Sequence, residues 1–322
     1  MTTKWPVLLG LLGFVLAPPQ VAAQTWPAKP LTAIVPYGAG STTDIVPRLV
    51  FDQLSSQLGQ RIVVENHPGA GGTLGAAVVA KSKPDGYTML VNSSAHTISP
   101  SLYPNLSYDP ARDFAAVIPL GISANVLVVS PAKGWKTVGD LVAAARAKPG
   151  AMNFASVGVG SATHLSAERF VHSAGIKAVH VPFKGGAEAM TEVIAGRIDF
   201  FFGPVGLVLS HVREGSLAAL VVNAASRSSA LPDVPTTKEA GFSDAEYPIW
   251  FAVFLPAKAP RAIVGKLHDE ILKALQSPNV KEKLASLGVD PMVMASAEFQ
   301  ALVEKEIGTD AALAKAAGLT TH

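Results

Sequence analysis

The feature that most constrains this chain is an order that recurs along it: a short apolar run, a glycine-rich turn, then apolar residues at helical spacing. Residues 31–36 (LTAIVP) run into YGAGSTTD, after which Ile45, Leu49, Leu54 and Leu58 recur near helical spacing and Gly59 closes the segment. Strand 62–65, the turn HPGAGG, helix 73–81 and strand 87–91 follow, with Pro84-Asp85-Gly86 as a turn between the last two. The order restarts after the apolar run 126–129. Thr137 and Asp140 are spaced as an N-cap box for helix 138–148, which Pro149-Gly150 ends. Strand 153–155 leads into SVGVGSATH and a helix through Ala174, then come strand 178–181, helix 187–195 and strands 199–202 and 217–222. An extended run over 247–254 precedes helical stretches 262–275 and 297–317. Alternation of this kind, with strands apolar on both faces, predicts mainly parallel sheets covered by helices. Two such cores, joined by extended runs and no floppy linker, predict two lobes with a cleft between them.

Composition removes several classes of function. There is no cysteine among the 322 residues, so disulfides, thiolate metal sites, a cysteine nucleophile and a lipid-anchored N-terminus are excluded. The formal net charge is only +2, too little for an electrostatic nucleic-acid binder. Residues 1–23 have the order of a secretory signal: Lys4, an apolar stretch over 7–17, then Val21-Ala22-Ala23 before a cut. Pro18-Pro19 breaks the stretch well short of the ~20 residues that span a bilayer. The mature chain is therefore expected to be exported and soluble, with Lys4 removed.

Catalytic and cofactor motifs are missing. No G-x-S-x-G, H-E-x-x-H or Walker loop occurs. HPGAGGTLG follows a strand and opens a helix, but its glycines lack dinucleotide spacing, and the next strand ends in Val91-Asn92 without a ribose-binding acid. The histidines are scattered; His96 and His164 have no metal-like partner four residues on, and a structural hydrogen bond is their simplest role. No metal, no cofactor and no enzymatic activity are expected.

The informative places are two turns. Gly38-Ala39-Gly40-Ser41-Thr42-Thr43-Asp44 and Ser156-Val157-Gly158-Val159-Gly160-Ser161-Ala162-Thr163-His164 each follow a strand and open a helix, one in each expected core. Glycines let backbone N–H groups converge there, and the helix start adds partial positive charge. Hydroxyls of Ser41, Thr42, Ser161 or Thr163 can add donors to a carboxylate. A plainer role stands beside this one: Ser41 with Asp44 fits a capping box, and Ser161 fits an N-cap.

WPAKPLTAIVPYGAGSTTDIVPRLV, QRIVVENHPGAGGTLGAAVVAKSKPDGYTML, YDPARDF, ASVGVGSATHLSAERF, HVPFKGGAEAM, GRIDFFF and RSSALPDVPTTKEAGF stand in an order that resembles the Bug-type receptors, the extracytoplasmic solute-binding proteins of tripartite tricarboxylate transporters. The resemblance covers nearly all of the chain after residue 23. It implies an α/β, type II periplasmic-binding-protein fold with two α/β lobes, joined by extended hinge strands around a central cleft. The divisions are then a signal over 1–23, a first lobe over 24–124 with a return segment over 251–322, and a second lobe over 125–250. It also implies a small carboxylate ligand (a di- or tricarboxylate, an acidic amino acid or an aromatic acid), integral-membrane permease subunits as partners, and a monomer. Carried onto this chain, the ligand residues are Tyr37, Gly38, Ala39, Gly40, Ser41, Thr42, Thr43 and Asp44 in one lobe. Ser156, Gly158, Gly160, Ser161 and His164 stand opposite, with Ser93, His96, Phe183, Lys184, Gly185 and Asp199 as further contributors. The chain departs from the family where Ser41-Thr42 replaces two glycines, where Ser99 replaces a frequent Asn, and where Phe183 replaces a Tyr. A sensor-kinase receptor is the alternative that keeps the same fold, and a hydrolase using His164 or His96 with a nearby serine is the remaining one.

Overall fold

A computed structural model describes residues 1–2 and 26–316. The expected signal segment therefore lies outside the described residues, apart from its first two. In chain order the elements are β1 (Leu31–Val35), α1 (Thr42–Leu58), β2 (Ile62–Asn66), α2 (Thr73–Ala80), β3 (Thr88–Ser93), α3 (Ala95–Leu102) and β4 (Phe114–Ser123). Next come β5 (Asn125–Val129), α4 (Val138–Ala147), β6 (Met152–Ser156), α5 (Ala162–Ser173), β7 (Ala178–Pro182), α6 (Gly186–Ile194), β8 (Phe200–Pro204), α7 (Val205–Arg213) and β9 (Ala218–Val222). The chain closes with β10 (Ile249–Pro256), α8 (Arg261–Gln276), α9 (Pro278–Ser286), β11 (Val289–Asp290) and α10 (Ser296–Ala316).

The strands form two sheets, ordered β11-β4-β10-β3-β1-β2 and β7-β6-β8-β5-β9. Both are mixed, which corrects the expectation of mainly parallel sheets. β1 lies parallel to β2 and β3, whereas β10 is antiparallel to β3 and β4. Likewise β6 lies parallel to β7 and β8, whereas β5 is antiparallel to β8 and β9. The same five-strand pattern thus appears twice: an edge strand, a first strand, a third strand, one reversed strand, and a last strand that runs with the first. The reversed strands β5 and β10 are the first after each passage of the chain between the sheets, so they enter each sheet from the opposite end.

Each sheet is packed on both faces, as strands apolar on both sides require. On one side of the larger sheet Val50, Phe51 and Leu54 of α1 meet Leu267 and Ile271 of α8; on the other, Ala76 and Val79 of α2 meet Trp250, Phe254, Phe299 and Val303. In the smaller sheet Leu141, Val142 and Phe170 cover one face, and Ala189, Val193 and Val208 the other. Thr137 and Asp140 form the expected capping box at α4.

The chain crosses between the sheets twice, and the crossings are tied to each other. Asn125 N donates to Asn223 Oδ1 (2.8 Å) and Asn223 N to Asn125 O (2.9 Å). Asn125 Nδ2 reaches Ser166 Oγ at 2.6 Å, and Asn223 Nδ2 reaches Tyr247 O at 3.2 Å. Both asparagines are fully buried, and these bonds satisfy their side chains except Asn125 Oδ1, which has no partner. A second contact between the halves has no room to spare: a Cβ on Gly206 would lie 2.5 Å from Leu287 O.

Candidate ligand site

The turns after β1 and β6 are built alike. Ser41 N donates to Gly38 O (3.3 Å) and Ser161 N to Gly158 O (3.2 Å). Ser41 and Ser161, the residues that precede α1 and α5, share one backbone conformation, φ −69° and ψ 157°. Gly40 (φ 82°) and Gly160 (φ 76°) both take the left-handed conformation that favours glycine. Each glycine N–H is accepted by the side chain four residues on, Asp44 Oδ2 in one turn and His164 Nδ1 in the other. What remains free is also alike. The amides of Thr42 and Thr43, and of Ala162 and Thr163, are first-turn N–H groups that have no partner among the described residues.

All four of these residues line a single cavity of about 390 Å³, within the range of small-molecule sites. Tyr37, Gly38, Ala39, Gly40, Ser41 and Ser93 line it from one sheet's side, and Ser161, Lys184 and Gly185 from the other's. Its position outside the carboxyl ends of β1, β6 and β8 is where open α/β sheets take ligands. The wall is otherwise apolar, with Val157, Ala187, Pro204, Leu207, Ile249 and Phe251; Lys184 is its one charged side chain. Of these six apolar residues Val157 lies in a turn that the sequence marks, and the other five were not singled out, because sequence does not tell a cavity wall from a core. Gly186 also lies in the wall.

The two serines differ. Ser161 Oγ donates to Gly158 O (2.7 Å) and accepts His164 N (3.3 Å), as an N-cap should. Ser41 makes no cap bond, and its buried Oγ has no partner. The expected Ser41–Asp44 capping box is therefore absent, because Asp44 is turned to the Gly40 N–H. Burial pushes the Asp44 carboxyl up, but Arg48, the Gly40 N–H and Asn66 outweigh it and hold it below the usual carboxylate range. Tyr37, at the cavity edge, is pushed up to about 12 by burial against a lowering bond with Ser93, so it is a neutral phenol.

Several expected residues stand behind the wall. Asp44 and His164 hold the turns. Gly158 and Gly160 shape the second turn, and Ser156 Oγ accepts the Gly158 N–H (3.0 Å). His96 is wholly buried on α3, stacked on Phe254 at 4.7 Å, with Nε2 at 3.2 Å from Pro110 O; burial pushes it down to about 4. Phe183 packs with the core beneath α6 and α7. Asp199 precedes β8, at the end of the strand away from Pro204 and the cavity, and binds Lys133 Nζ (2.6 Å) and Asn153 N (2.8 Å). Each of these polar groups is satisfied internally.

With this geometry in view, comparison with known proteins is informative. Residues 46–319 match the tripartite tricarboxylate transporter family receptor. Protein BugT of Bordetella pertussis is 34% identical over 306 residues, 93% of this chain and 94% of that protein. Among solved structures, Rpa4515 of R. palustris with adipate is 33% identical, with a TM-score of 0.84 over 91% of this chain and 98% of that one. MatC of Rhodopseudomonas palustris with bound malate is 31% identical, with a TM-score of 0.82 over 89% and 99%. The chain belongs to the receptors of the tripartite tricarboxylate transporter family, whose members are periplasmic solute-binding proteins and not enzymes.

Proposed function

We propose that this receptor captures a small organic acid in the cavity between its two sheets and hands it to the membrane permease subunits of a tripartite tricarboxylate transporter. In this reading the sheets belong to two lobes, residues 24–124 with 251–322 and residues 125–250, and the protein works in the periplasm after loss of residues 1–23. One observation carries the reading: two turns of the same construction present unpaired N–H groups, from Thr42 and Thr43 and from Ala162 and Thr163, to one cavity. Each turn suits one carboxylate, since a helix start offers both donors and partial positive charge. The free Ser41 hydroxyl adds a donor, and Lys184 supplies the one full charge. The apolar wall of Ile249, Phe251, Leu207 and Pro204 suits a hydrocarbon body between acid groups. Adipate and malate, held by the similar structures, are the first acids to test.

A ligand that bridges both turns favours the arrangement in which they face each other, so capture shifts a population and involves no chemistry. Each helix terminus contributes only about 0.3–1 kcal/mol toward an anion, while micromolar affinity needs about 8 kcal/mol. Direct hydrogen bonds and exclusion of water must supply the rest. Calorimetry with adipate, malate, citrate, glutamate, benzoate and the corresponding amides tests the reading. The expected result is saturable heat with at least one acid and none with its amide; no heat from any acid would overturn it.

A further inference from the structure

Behind the second turn Ser156 and His164 meet His180, a side chain outside the cavity wall that was not among the expected ligand residues. His180 is on β7, the edge strand beside β6, in register with Phe154. Its Nε2 lies 2.6 Å from Ser156 Oγ, the atom that accepts the Gly158 N–H. Its ring stacks on His164, with centroids 3.9 Å apart and planes inclined by 24°. His164 Nδ1 in turn accepts the Gly160 N–H at 3.1 Å. The imidazole of His180 therefore touches both groups that fix the glycines of the turn: Ser156 for Gly158, and His164 for Gly160. Phe154 lies against both rings, its centroid 5.1 Å from that of His180 and 6.2 Å from that of His164.

The first turn has a counterpart. There the edge strand is β2, and Asn66 at its end donates to Tyr37 O (2.9 Å) and to Asp44 Oδ1 (2.9 Å). Asn66 thus braces the side chain that accepts the Gly40 N–H, from the strand that corresponds to β7. The geometry points to His180 as a positioning residue for ligand capture: from the edge strand it clamps Ser156 and His164, and through them it sets the direction of the amides at the start of α5. It touches no ligand itself, since it is absent from the cavity wall.

The clamp has a chemical condition that Asn66 lacks. His164 Nδ1 accepts a backbone N–H, so its ring proton sits on Nε2, which faces Glu168 Oε1 at 3.6 Å. A proton added at Nδ1 would set two donors against each other. A charge on His180 would lie against the His164 ring, and burial, with the His164 ring beside it, pushes His180 down to about 4. The titratable group that faces the pair is Glu168, beside His164 Nε2. The second turn should therefore loosen near pH 4, whereas the first, held by a carboxylate that stays ionised below the usual range, should not loosen there.

The test uses the full protein with two variants. His180→Phe keeps a stacking ring and loses the bond to Ser156; His180→Gln keeps a polar partner for Ser156 and loses the stack. In the ligand-free protein, amide hydrogen exchange at Gly158 should rise about tenfold in His180→Phe, the effect of one lost hydrogen bond. Exchange at Gly160 should rise by a similar factor in His180→Gln, and Gly40 should not change in either variant. In the native protein the Gly158 and Gly160 amide signals should shift with an acid midpoint near that of His180, about 4, and this step should vanish in both variants. Unchanged exchange at both glycines, or an equal rise at Gly40, would overturn the assignment. These readouts need no ligand, so they stand apart from the carboxylate reading. The affinity arm rests on that reading: with adipate as probe, each variant should bind about tenfold more weakly. If the native protein bound no acid, the reading would fall while the exchange data still decided the role of His180.

Discussion

Asp44 and His164 hold the same place in two distant stretches of chain: Asp44 Oδ2 accepts the Gly40 N–H at 2.9 Å, and His164 Nδ1 accepts the Gly160 N–H at 3.1 Å. One acceptor is a carboxylate and the other a ring nitrogen, so turns of one shape differ in charge. The difference makes Asp44 the more exacting position. Its Oδ1 also accepts Arg48 Nε and Asn66 Nδ2, so both oxygens face donors. In Asp44→Asn the new NH₂ would face a donor whichever way it turned. The variant should lose about 1–3 kcal/mol, the cost of a buried group left unmatched. Because the folded carboxyl is held below its ordinary value, its stabilisation is full above about pH 4 and is lost as pH falls through the folded value. Denaturant melts across pH 2–7 should show a shallower acid limb for Asp44→Asn, and an unchanged limb would refute the assignment.

Ser41→Ala should separate binding from stability. Its Oγ is buried without a partner and caps no helix, so its removal relieves an unsatisfied group in the free protein. Melting of the ligand-free variant should match or exceed that of the native chain. Affinity for the best-bound acid should fall about tenfold, the worth of one hydrogen bond to a charged group. A loss of stability with intact affinity would show that the hydroxyl serves the fold.

Asp310 lies on α10 and receives the Thr97 hydroxyl at 2.5 Å. Burial pushes its carboxyl up to about 7; the Thr97 bond opposes this, Glu306 adds to it, and Arg169 opposes it. The folded protein thus keeps a proton that the unfolded chain releases near pH 4. This group's contribution is full below about pH 4 and is lost as pH rises to about 7. Asp310→Asn keeps an acceptor for Thr97 and cannot ionise. It should be the more stable protein at pH 8 and show less decline between pH 4 and 7, readable by thermal melts; a variant weaker at pH 8 would contradict this.

Gly206→Ala tests the contact between the halves. The added Cβ would lie 2.5 Å from Leu287 O and 3.1 Å from Leu287 C, backbone atoms that no rotamer change can move. Overpacking of this kind costs about 1–3 kcal/mol. Melting should fall accordingly; a variant as stable as the native chain would mean that α7 and the segment before β11 part freely.

Much of this was legible in sequence where one residue type answers one local need. The glycine-rich turns, the strand before each and the helix after each follow from backbone geometry, and the Thr137–Asp140 box from spacing alone. The elements that escaped carry residues which usually signal a break: Pro100 in α3, Pro119 and Gly121 in β4, Gly206 in α7. β4 accommodates its proline beside a register shift in its pairing with β10. In the site, polar residues were legible as polar but not as occupied. His96, Asp199 and Asp44 spend their hydrogen bonds on groups that only the fold brings near. Leu207, Ile249 and Phe251 read as core because apolar residues at a cavity and in a core share one pattern.

Asn125 and Asn223 bind the outgoing and the returning chain side by side. A single strap would let one half swivel on the other like a bead on a thread. Two straps fastened along their length resist torsion and leave bending as the softest movement. The two turns then meet along one arc, and whatever joins them is presented the same way each time.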